Sequence, residues 1–220
     1  MYKVIGIDEA GKGPVLGSMF IGFAIINLDE GLSTLNSFQD YLKNLGACDS
    51  KKRKEVYELL KQNLDIKYAQ LTPALIDSNN SSGSKLNELE IKAIVNVLEN
   101  EKPQLIIIDA LTANPQKFGE MIQKKLSFET KIISENKADN KYPLVGAASI
   151  IAKELREQEV LQIKENIKLD CGSGYPSDKK TIDFVKEHYN SKEFDFIFRK
   201  SWDTYKRIAG IKKEKSLLEY

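Results

Sequence analysis

The chain has 220 residues, of which 41% are hydrophobic and 30% charged, and its formal net charge is +1. Such a chain can bury a sizeable core, but its net charge provides no overall field that would attract nucleic acid. Its longest apolar stretches, 19–26 and 105–108, are much shorter than the roughly 20 residues of a membrane-spanning helix, so no membrane segment is predicted. We expect a cytoplasmic protein, because the first residues are typical of a strand rather than a signal peptide, and because Cys48 and Cys171 form no metal-type spacing.

Strands and helices alternate along the chain. Apolar patterning predicts strands at 2–7, 18–27, 66–71, 104–109 and 127–134, and helices at 51–64, 89–100, 145–167 and 179–189. Asn114-Pro115 is typical of a further helix start, and the polar run 78–84 is typical of a surface loop. The first two strands should form a hairpin-like start, and the small residues 146–149 should let the long helix pack closely on a sheet. The predicted fold class is α/β, a mixed sheet covered by helices.

The character of the chain changes after about residue 170. A turn-rich segment, 171–177, precedes the last predicted helix and an aromatic, basic stretch at 194–207. From residue 179 onward, Lys and Arg outnumber Asp and Glu by eleven to seven. We therefore expect a core at 1–170 and a small helical extension at 171–220. Solvated helix faces explain this basic bias and the basic run 51–54, although together they leave room for a track along a nucleic-acid backbone.

Two adjacent carboxylates, Asp8 and Glu9, follow the first predicted strand and precede Gly11, Gly13 and Gly17. Adjacent residues on a strand point to opposite faces, so we expect the backbone to turn at this pair if both acids serve one site. Carboxylates beside a flexible glycine-rich backbone suit a metal ion next to a polyanion. The alternative is that both acids are solvated turn residues.

A phosphate-binding loop is a second alternative for this segment. Residues 6–12 fit the pattern G-x-x-x-x-G-K, but Gly13 stands where such a loop carries the Ser or Thr that holds magnesium. Two carboxylates inside the loop would also repel phosphate unless a metal ion intervened. The pattern therefore disfavours a nucleotide cradle.

Two further acids stand at chain positions that suit either a ligand or a helix cap. Asp109 ends an apolar strand, and Asp139 precedes the long helix. Because His188 is the only histidine and the two cysteines are isolated, the chain has few residues for a zinc site or a Ser-His-Asp triad, and both are disfavoured. Clustered carboxylates prefer hard cations, and two such ions can catalyse phosphodiester hydrolysis. The residues alone thus lead to magnesium-dependent phosphate chemistry.

An ordered set of short motifs covers residues 4 to about 207. They are GIDEAGKGPVLG at 6–17, DSKK at 49–52, IIDA at 107–110, KAD at 137–139 with YP at 142–143, AASIIAK at 147–153, GSGYPS at 172–177 and RKSW at 199–202. In this order they resemble ribonuclease HII, especially its archaeal form. The resemblance implies a ribonuclease H-like mixed sheet flanked by helices, with a small C-terminal helical extension. It also implies endonucleolytic hydrolysis of the RNA strand of RNA/DNA hybrids and of single ribonucleotides in duplex DNA, leaving 3′-hydroxyl and 5′-phosphate ends.

The same resemblance implies a metal site and its ligands. The four metal-binding acids of the family match Asp8, Glu9, Asp109 and Asp139, which by that similarity hold two Mg²⁺ or Mn²⁺ ions. One ion would orient the attacking water, and the other would neutralise charge on the departing 3′ oxygen.

The resemblance further implies a set of substrate contacts, which are Gly11, Lys12, Gly13, Lys51, Lys52, Tyr175 and Arg199. The family carries Gly-Arg-Gly where this chain has Gly11-Lys12-Gly13, and lysine keeps the charge but lacks the planar fork that can hold phosphate with two bonds. Tyr175 matches the tyrosine that contacts the sugar of the scissile ribonucleotide, and a packed turn aromatic is the alternative. Arg199 could grip duplex phosphates or fasten the extension to the core.

The last residues, 214–220, resemble a shortened sliding-clamp-binding peptide with anchors at Leu217 and Tyr220. A frayed tail is the alternative. We expect a monomer that binds RNA/DNA hybrids and ribonucleotide-containing duplex DNA.

Two functions from other classes remain open. Another ribonuclease H-like nuclease would not need the Gly-Tyr-Pro element, so ribose dependence separates it. A noncatalytic nucleic-acid-binding module would have no use for four acids, so metal-dependent turnover separates that one.

Overall fold

A computed structural model describes residues 2–28, 50–81, 85–110 and 112–210 of the chain. Within these ranges the strands are β1 Lys3–Ala10, β2 Met19–Asn27, β3 Asp65–Leu71, β4 Leu105–Asp109 and β5 Lys131–Glu135. The α-helices there are α1 Ser50–Asn63, α2 Pro73–Ser81, α3 Leu86–Glu101, α4 Pro115–Gln123, α5 Ala138–Lys141, α6 Pro143–Ile167, α7 Lys179–His188 and α8 Asp203–Ile208. A 3₁₀ helix spans Lys192–Ile197.

The strands form one mixed sheet in the order β3-β2-β1-β4-β5. Strand β1 pairs with β2 in antiparallel fashion along its whole length, which confirms the predicted hairpin-like start. On its other side β1 pairs in parallel with β4, and β4 pairs in parallel with β5. The predicted α/β class with a mixed sheet is therefore confirmed. Strands β1 and β4 lie next to each other inside this sheet.

Several local predictions differ from the structure, and one is the strand predicted at 127–134, which begins only at Lys131. The backbone does not turn at Asp8 and Glu9, because β1 continues to Ala10 and keeps pairing with β2 up to the Ala10–Phe20 pair. The polar run predicted as a loop is helical up to Ser81, since the hydroxyls of Ser78 and Ser81 donate to carbonyls one turn earlier and so need no loop.

Helix α6 packs against one face of the sheet with almost no space between the two backbones. A Cβ on Gly6 or Gly22 would lie less than 3.0 Å from the backbone of Leu144 or Ala148, respectively. This close approach confirms that the small-residue start of α6 lies against the sheet. Apolar side chains from β1, β2, β4, α1 and α6 form the buried cluster on this face, and they include Val4, Ala24, Ile107, Val56 and Ile151.

The chain forms two compact units. The first comprises Met1–Gly11, Met19–Gln70 and Asn87–Glu157, and the second comprises Lys12–Ser18, Leu71–Leu86 and Gln158–Tyr220. The second unit has its own buried cluster, which includes Val15, Phe184, Phe194, Phe198 and Tyr205. The second unit includes more of the chain than the extension predicted at 171–220. The role of residues 171–220 in binding stays a prediction. Among the described residues, no helix is long and apolar enough to cross a membrane.

Candidate active site

Three carboxylates, those of Asp8, Asp109 and Asp139, converge within the first unit. Each offers one oxygen, and these oxygens all lie within 4.8 Å of one another. The parallel pairing of β1 and β4 ends at Ile7 and Ile108, and an aspartate directly follows each of these two residues. The sheet register therefore places Asp8 and Asp109 side by side, on the face that α6 covers.

Asp139 reaches the same place because the chain turns sharply between β5 and α5. Lys137 makes this turn in the left-handed conformation, with φ of 59°. Such a conformation costs a non-glycine residue about 1–3 kcal/mol and is maintained only when the surrounding structure requires it. Here the N–H of Lys137 donates to Oδ1 of Asp109 at 3.0 Å. One strained residue thus orients Asp109 and starts the short helix that carries Asp139.

The environment of Asp8 disfavours its negative charge. Burial raises the pKa of Asp8 to about 6, and the nearby carboxylate of Asp109 adds to this rise. The Ser149 hydroxyl, the N–H of Glu9 at 2.7 Å and the charge of Lys153 oppose the rise but do not cancel it. An additional cation beside this carboxylate would therefore relieve a real electrostatic cost.

The pKa of Asp109 is also raised, first by burial and then by the charge of Asp139. Backbone N–H groups of Lys137 and Ala138 partly offset that rise. Three close carboxylates with no imidazole or thiolate among them form the oxygen donor set that hard divalent cations prefer. The residues present therefore fit a magnesium-type or manganese-type site.

Glu9 occupies a different position from the other three acids. It follows Asp8 directly on β1, two residues beyond the last pair that β1 forms with β4. Glu9 is half-buried and does not belong to the converging group. Its role as a fourth metal ligand stays a prediction.

Of the predicted substrate contacts, Lys12, Gly13 and Tyr175 belong to the second unit, where Gly13 and Tyr175 lie side by side. A Cβ on Gly13 would lie 3.9 Å from Cε1 of Tyr175, whose surface is 41% exposed. The N–H of Val15 donates to the carbonyl of Gly174 at 2.8 Å, which joins the two segments. Gly11 directly follows β1 and has φ of 87°, a conformation that suits glycine.

The other predicted contacts have different outcomes. Lys52 is exposed in the first turn of α1, whereas the side chain of Lys51 and residues 211–220 with the clamp-like peptide lie outside the described part of the chain. Arg199 is fully buried, and its guanidinium donates to the carbonyls of Gly17 and Lys12 at 2.8 and 3.3 Å. The guanidinium of Arg199 thus bonds main-chain carbonyls in the protein interior, and its contact with the substrate stays a prediction.

Sequence reasoning assigned no role to three residues of the site, which are Lys137, Ser149 and Lys153. Ser149 and Lys153 stand four residues apart on α6 and thus on one helix face. A hydroxyl and an amine spaced four residues apart among small residues are the signal that could have identified Ser149 and Lys153. The left-handed turn at Lys137 carries no comparable signal, because lysine does not favour this conformation.

Comparison with known proteins agrees with this geometry. A family model described as ribonuclease HII matches residues 5–205. The chain is 38% identical to a ribonuclease HII of Methanocella arvoryzae over 94% of this chain and 92% of that protein, and 40% identical to one of Thermococcus onnurineus over 94% and 89%.

Solved structures show the same relationship. The ribonuclease H2 of Pyrococcus horikoshii OT3 superposes with a TM-score of 0.83 at 35% identity, covering 94% of this chain and 97% of that one. A ribonuclease HII of Archaeoglobus fulgidus, solved in complex with PCNA, has a TM-score of 0.80 at 27% identity over 99% and 100%. The chain therefore belongs to the ribonuclease HII family of ribonuclease H-type endonucleases.

Proposed function

We propose that the protein hydrolyses the RNA strand of RNA/DNA hybrids and cuts at single ribonucleotides embedded in duplex DNA, leaving 3′-hydroxyl and 5′-phosphate ends. The observation that carries the proposal is the convergence of Asp8, Asp109 and Asp139, with oxygens all within 4.8 Å. Phosphodiester hydrolysis at neutral pH needs a concentrated positive charge beside the scissile phosphate, and this all-carboxylate site is built to hold such charge.

Divalent-metal dependence is a property of the family, and we propose Mg²⁺ or Mn²⁺ at two positions. Asp8, Asp109 and Asp139 would hold the ions, and we propose Glu9 as the fourth ligand. When bound, the ions supply an activated water and neutralise charge on the departing oxygen.

The protein contributes orientation and charge at this site. The N–H of Lys137 holds one oxygen of Asp109 in place, so the other oxygen can face a ligand. The charge of Lys153 lowers the pKa of Asp8 and so favours its ionised carboxylate, which is the form that binds a cation.

We propose that the segment Gly11-Lys12-Gly13 and Tyr175 recognise the ribonucleotide. The nearness of Gly13 to the exposed ring of Tyr175 supports a shared role, since a sugar seated on the ring would bring its phosphate to glycine backbone without a side chain in between. Lys51 and Lys52 are proposed to contact the nucleic-acid backbone as cations.

We further propose that the protein acts as a cytoplasmic monomer and that residues 171–220 form its binding extension. The A. fulgidus relative was solved with PCNA. By analogy, we propose that the segment ending in Leu217 and Tyr220 binds a sliding clamp. Calorimetry with the peptide 212–220 and the cognate clamp tests this, and an absence of heat at high micromolar concentration would rule it out.

The main experiment uses a DNA duplex with a single ribonucleotide, incubated with the full chain and magnesium, manganese or a chelator. We expect metal-dependent cleavage at the ribonucleotide, with 3′-hydroxyl and 5′-phosphate ends that ligation and phosphatase treatment identify. An all-DNA duplex of the same sequence is the control. Cleavage of that control at a similar rate would indicate a nuclease that does not require ribose, and binding without cleavage would indicate a noncatalytic module.

A further inference from the structure

The segment 12–18, which carries Lys12 and Gly13, lies in the second unit and has no helix or strand of its own. Its carbonyl groups therefore need donors from elsewhere. The buried guanidinium of Arg199 supplies two of them, since Nε donates to Gly17 and Nη1 to Lys12. An arginine fork is rigid and planar, so it holds the two carbonyls, five residues apart, in a fixed relation.

Main-chain bonds fix the later part of this segment. The N–H of Arg199 donates to the carbonyl of Val15 at 3.0 Å, and the N–H of Gly17 donates to the carbonyl of Ile197 at 2.8 Å. Leu16 pairs with Phe198 as an isolated bridge. The Arg199 side chain bonds further back, at the carbonyl of Lys12.

This bond determines how the neighbouring peptide group is presented. Because a trans peptide is planar, the N–H of Gly13 points opposite to the carbonyl of Lys12. The Lys12 carbonyl is directed toward the buried guanidinium, so the Gly13 N–H is directed away from it. Gly13 is exposed and adjoins the ring of Tyr175. Arg199 thus orients the N–H of Gly13 beside Tyr175, the residue proposed to contact the sugar.

Arg199 is itself held by the turn that follows it. The carboxylate of Asp77 on α2 accepts from the N–H groups of Lys200 and Ser201 at 2.8 and 2.9 Å, and from the Ser201 hydroxyl at 2.6 Å. The Asn80 side chain donates to the same hydroxyl at 2.8 Å. A single carboxylate that accepts three bonds fixes the backbone of this turn and so the base of the Arg199 side chain.

We propose that Arg199 is a positioning residue that orients the Lys12–Gly13 peptide for recognition of the ribonucleotide, and that Asp77 acts through it by fixing the turn at 199–201. This inference rests on the function proposed above. It replaces direct phosphate contact by Arg199 with an action through the backbone.

The test compares Arg199→Lys and Asp77→Asn with the unmodified enzyme in single-turnover cleavage of two substrates, a one-ribonucleotide duplex and an all-RNA/DNA hybrid. Lysine keeps the charge but cannot hold both carbonyls, and asparagine replaces one acceptor oxygen with a donor. A misplacement of about 1 Å can cost on the order of 100-fold in rate, so we expect a loss of about tenfold or more for Arg199→Lys on the one-ribonucleotide duplex. The loss on the hybrid should be several-fold smaller, because its many 2′-hydroxyls offer alternative registers.

Ser78→Ala is the matched control for Asp77→Asn, since Ser78 stands on the same helix and donates only within it, to Leu75. Thermal unfolding reports the folded fraction of every variant, and Asp77→Asn carries the test if Arg199→Lys does not fold. The double variant should lose no more than the more damaging single one, because the two residues act along one path.

Equal losses on both substrates, or additive losses in the double variant, would overturn the inference in favour of a purely structural role. Failure of the proposed function gives a different result, because the unmodified enzyme would then cut neither substrate.

Discussion

Asp8 and Asp109 lie side by side, each one residue beyond the last pair, Ile7 and Ile108, of the parallel ladder between β1 and β4. Parallel pairing brings the carboxyl ends of both strands to one edge of the sheet, and the residue alternation puts both side chains on the face covered by α6. Two buried carboxylates in this relation repel each other, which makes a divalent cation favourable between or beside them.

The first prediction separates the converging acids from Glu9. Asp109→Asn should lower the cleavage rate by more than about 100-fold, since even the outer partners of metal ligands typically contribute 10- to 100-fold. Glu9→Gln should cause a comparable loss if Glu9 is a ligand. Single-turnover rates at limiting and saturating magnesium measure both variants. A Glu9→Gln enzyme with unchanged rates would reduce the site to three acids.

The second prediction concerns the stability of the metal-free protein. The pKa of Asp8 is about 6 in the folded state, against an ordinary value of 3.8. Between these pH values the folded state binds more protons than the unfolded state. The stability that Asp8 contributes is therefore fully present below pH 3.8 and is lost as the pH rises through 6. Asp8→Asn removes that loss and should raise the free energy of unfolding at pH 7.5 by about 1–3 kcal/mol.

Urea unfolding in chelator measures this difference across pH, and it should disappear near pH 4. Asp183→Asn, at an exposed position on α7, is the control and should leave the stability nearly unchanged. A destabilised Asp8→Asn protein at pH 7.5 would contradict the raised pKa.

The third prediction is that metal binding weakens in acid. A cation needs the ionised form of Asp8, so its affinity should be nearly constant above pH 7 and fall as pH drops through 6. One displaced proton corresponds to about a tenfold loss of affinity per pH unit below the pKa. Calorimetric titration with Mn²⁺ from pH 5 to 8 measures it, and an affinity independent of pH would show that Asp8 does not contact the ion.

The fourth prediction tests the close approach of α6 to the sheet. Gly22→Ala would place a Cβ less than 3.0 Å from the Ala148 backbone, and such overpacking typically costs about 1–3 kcal/mol. Urea unfolding gives the change in stability. Gly13→Ala is the control, because its Cβ would only meet Tyr175 at 3.9 Å. A loss of stability in Gly22→Ala as small as that in Gly13→Ala would mean that the helix can move aside.

The fifth prediction concerns Tyr175. If its ring contacts the ribose, Tyr175→Ala should slow cleavage at a single ribonucleotide far more than cleavage of a long hybrid, because the isolated site offers only one 2′-hydroxyl for placement. Tyr175→Phe is the matched control, since it keeps the ring and removes the hydroxyl. Equal losses on both substrates would identify Tyr175 as a structural aromatic.

Local patterns in the sequence predicted most of the described elements to within a few residues. The continuous apolar run that becomes β4 requires burial on both faces, and the Asn114-Pro115 pair starts α4 as its chemistry predicts. The pattern failed where a neighbouring strand determines the outcome. Asp8 and Glu9 are poor strand residues, yet pairing with β2 keeps β1 extended through them.

The sequence by itself determined the chemistry available to this protein, because its motifs, its single histidine and its two isolated cysteines leave carboxylates as the metal donors. Only the tertiary structure decided which acids meet. Register places Asp8 beside Asp109, and a left-handed lysine, Lys137, carries Asp139 to them. It also decided that Arg199 lies inside. The physical reason is that burial and strand pairing join residues about 100 to 190 positions apart, and no local pattern encodes those contacts.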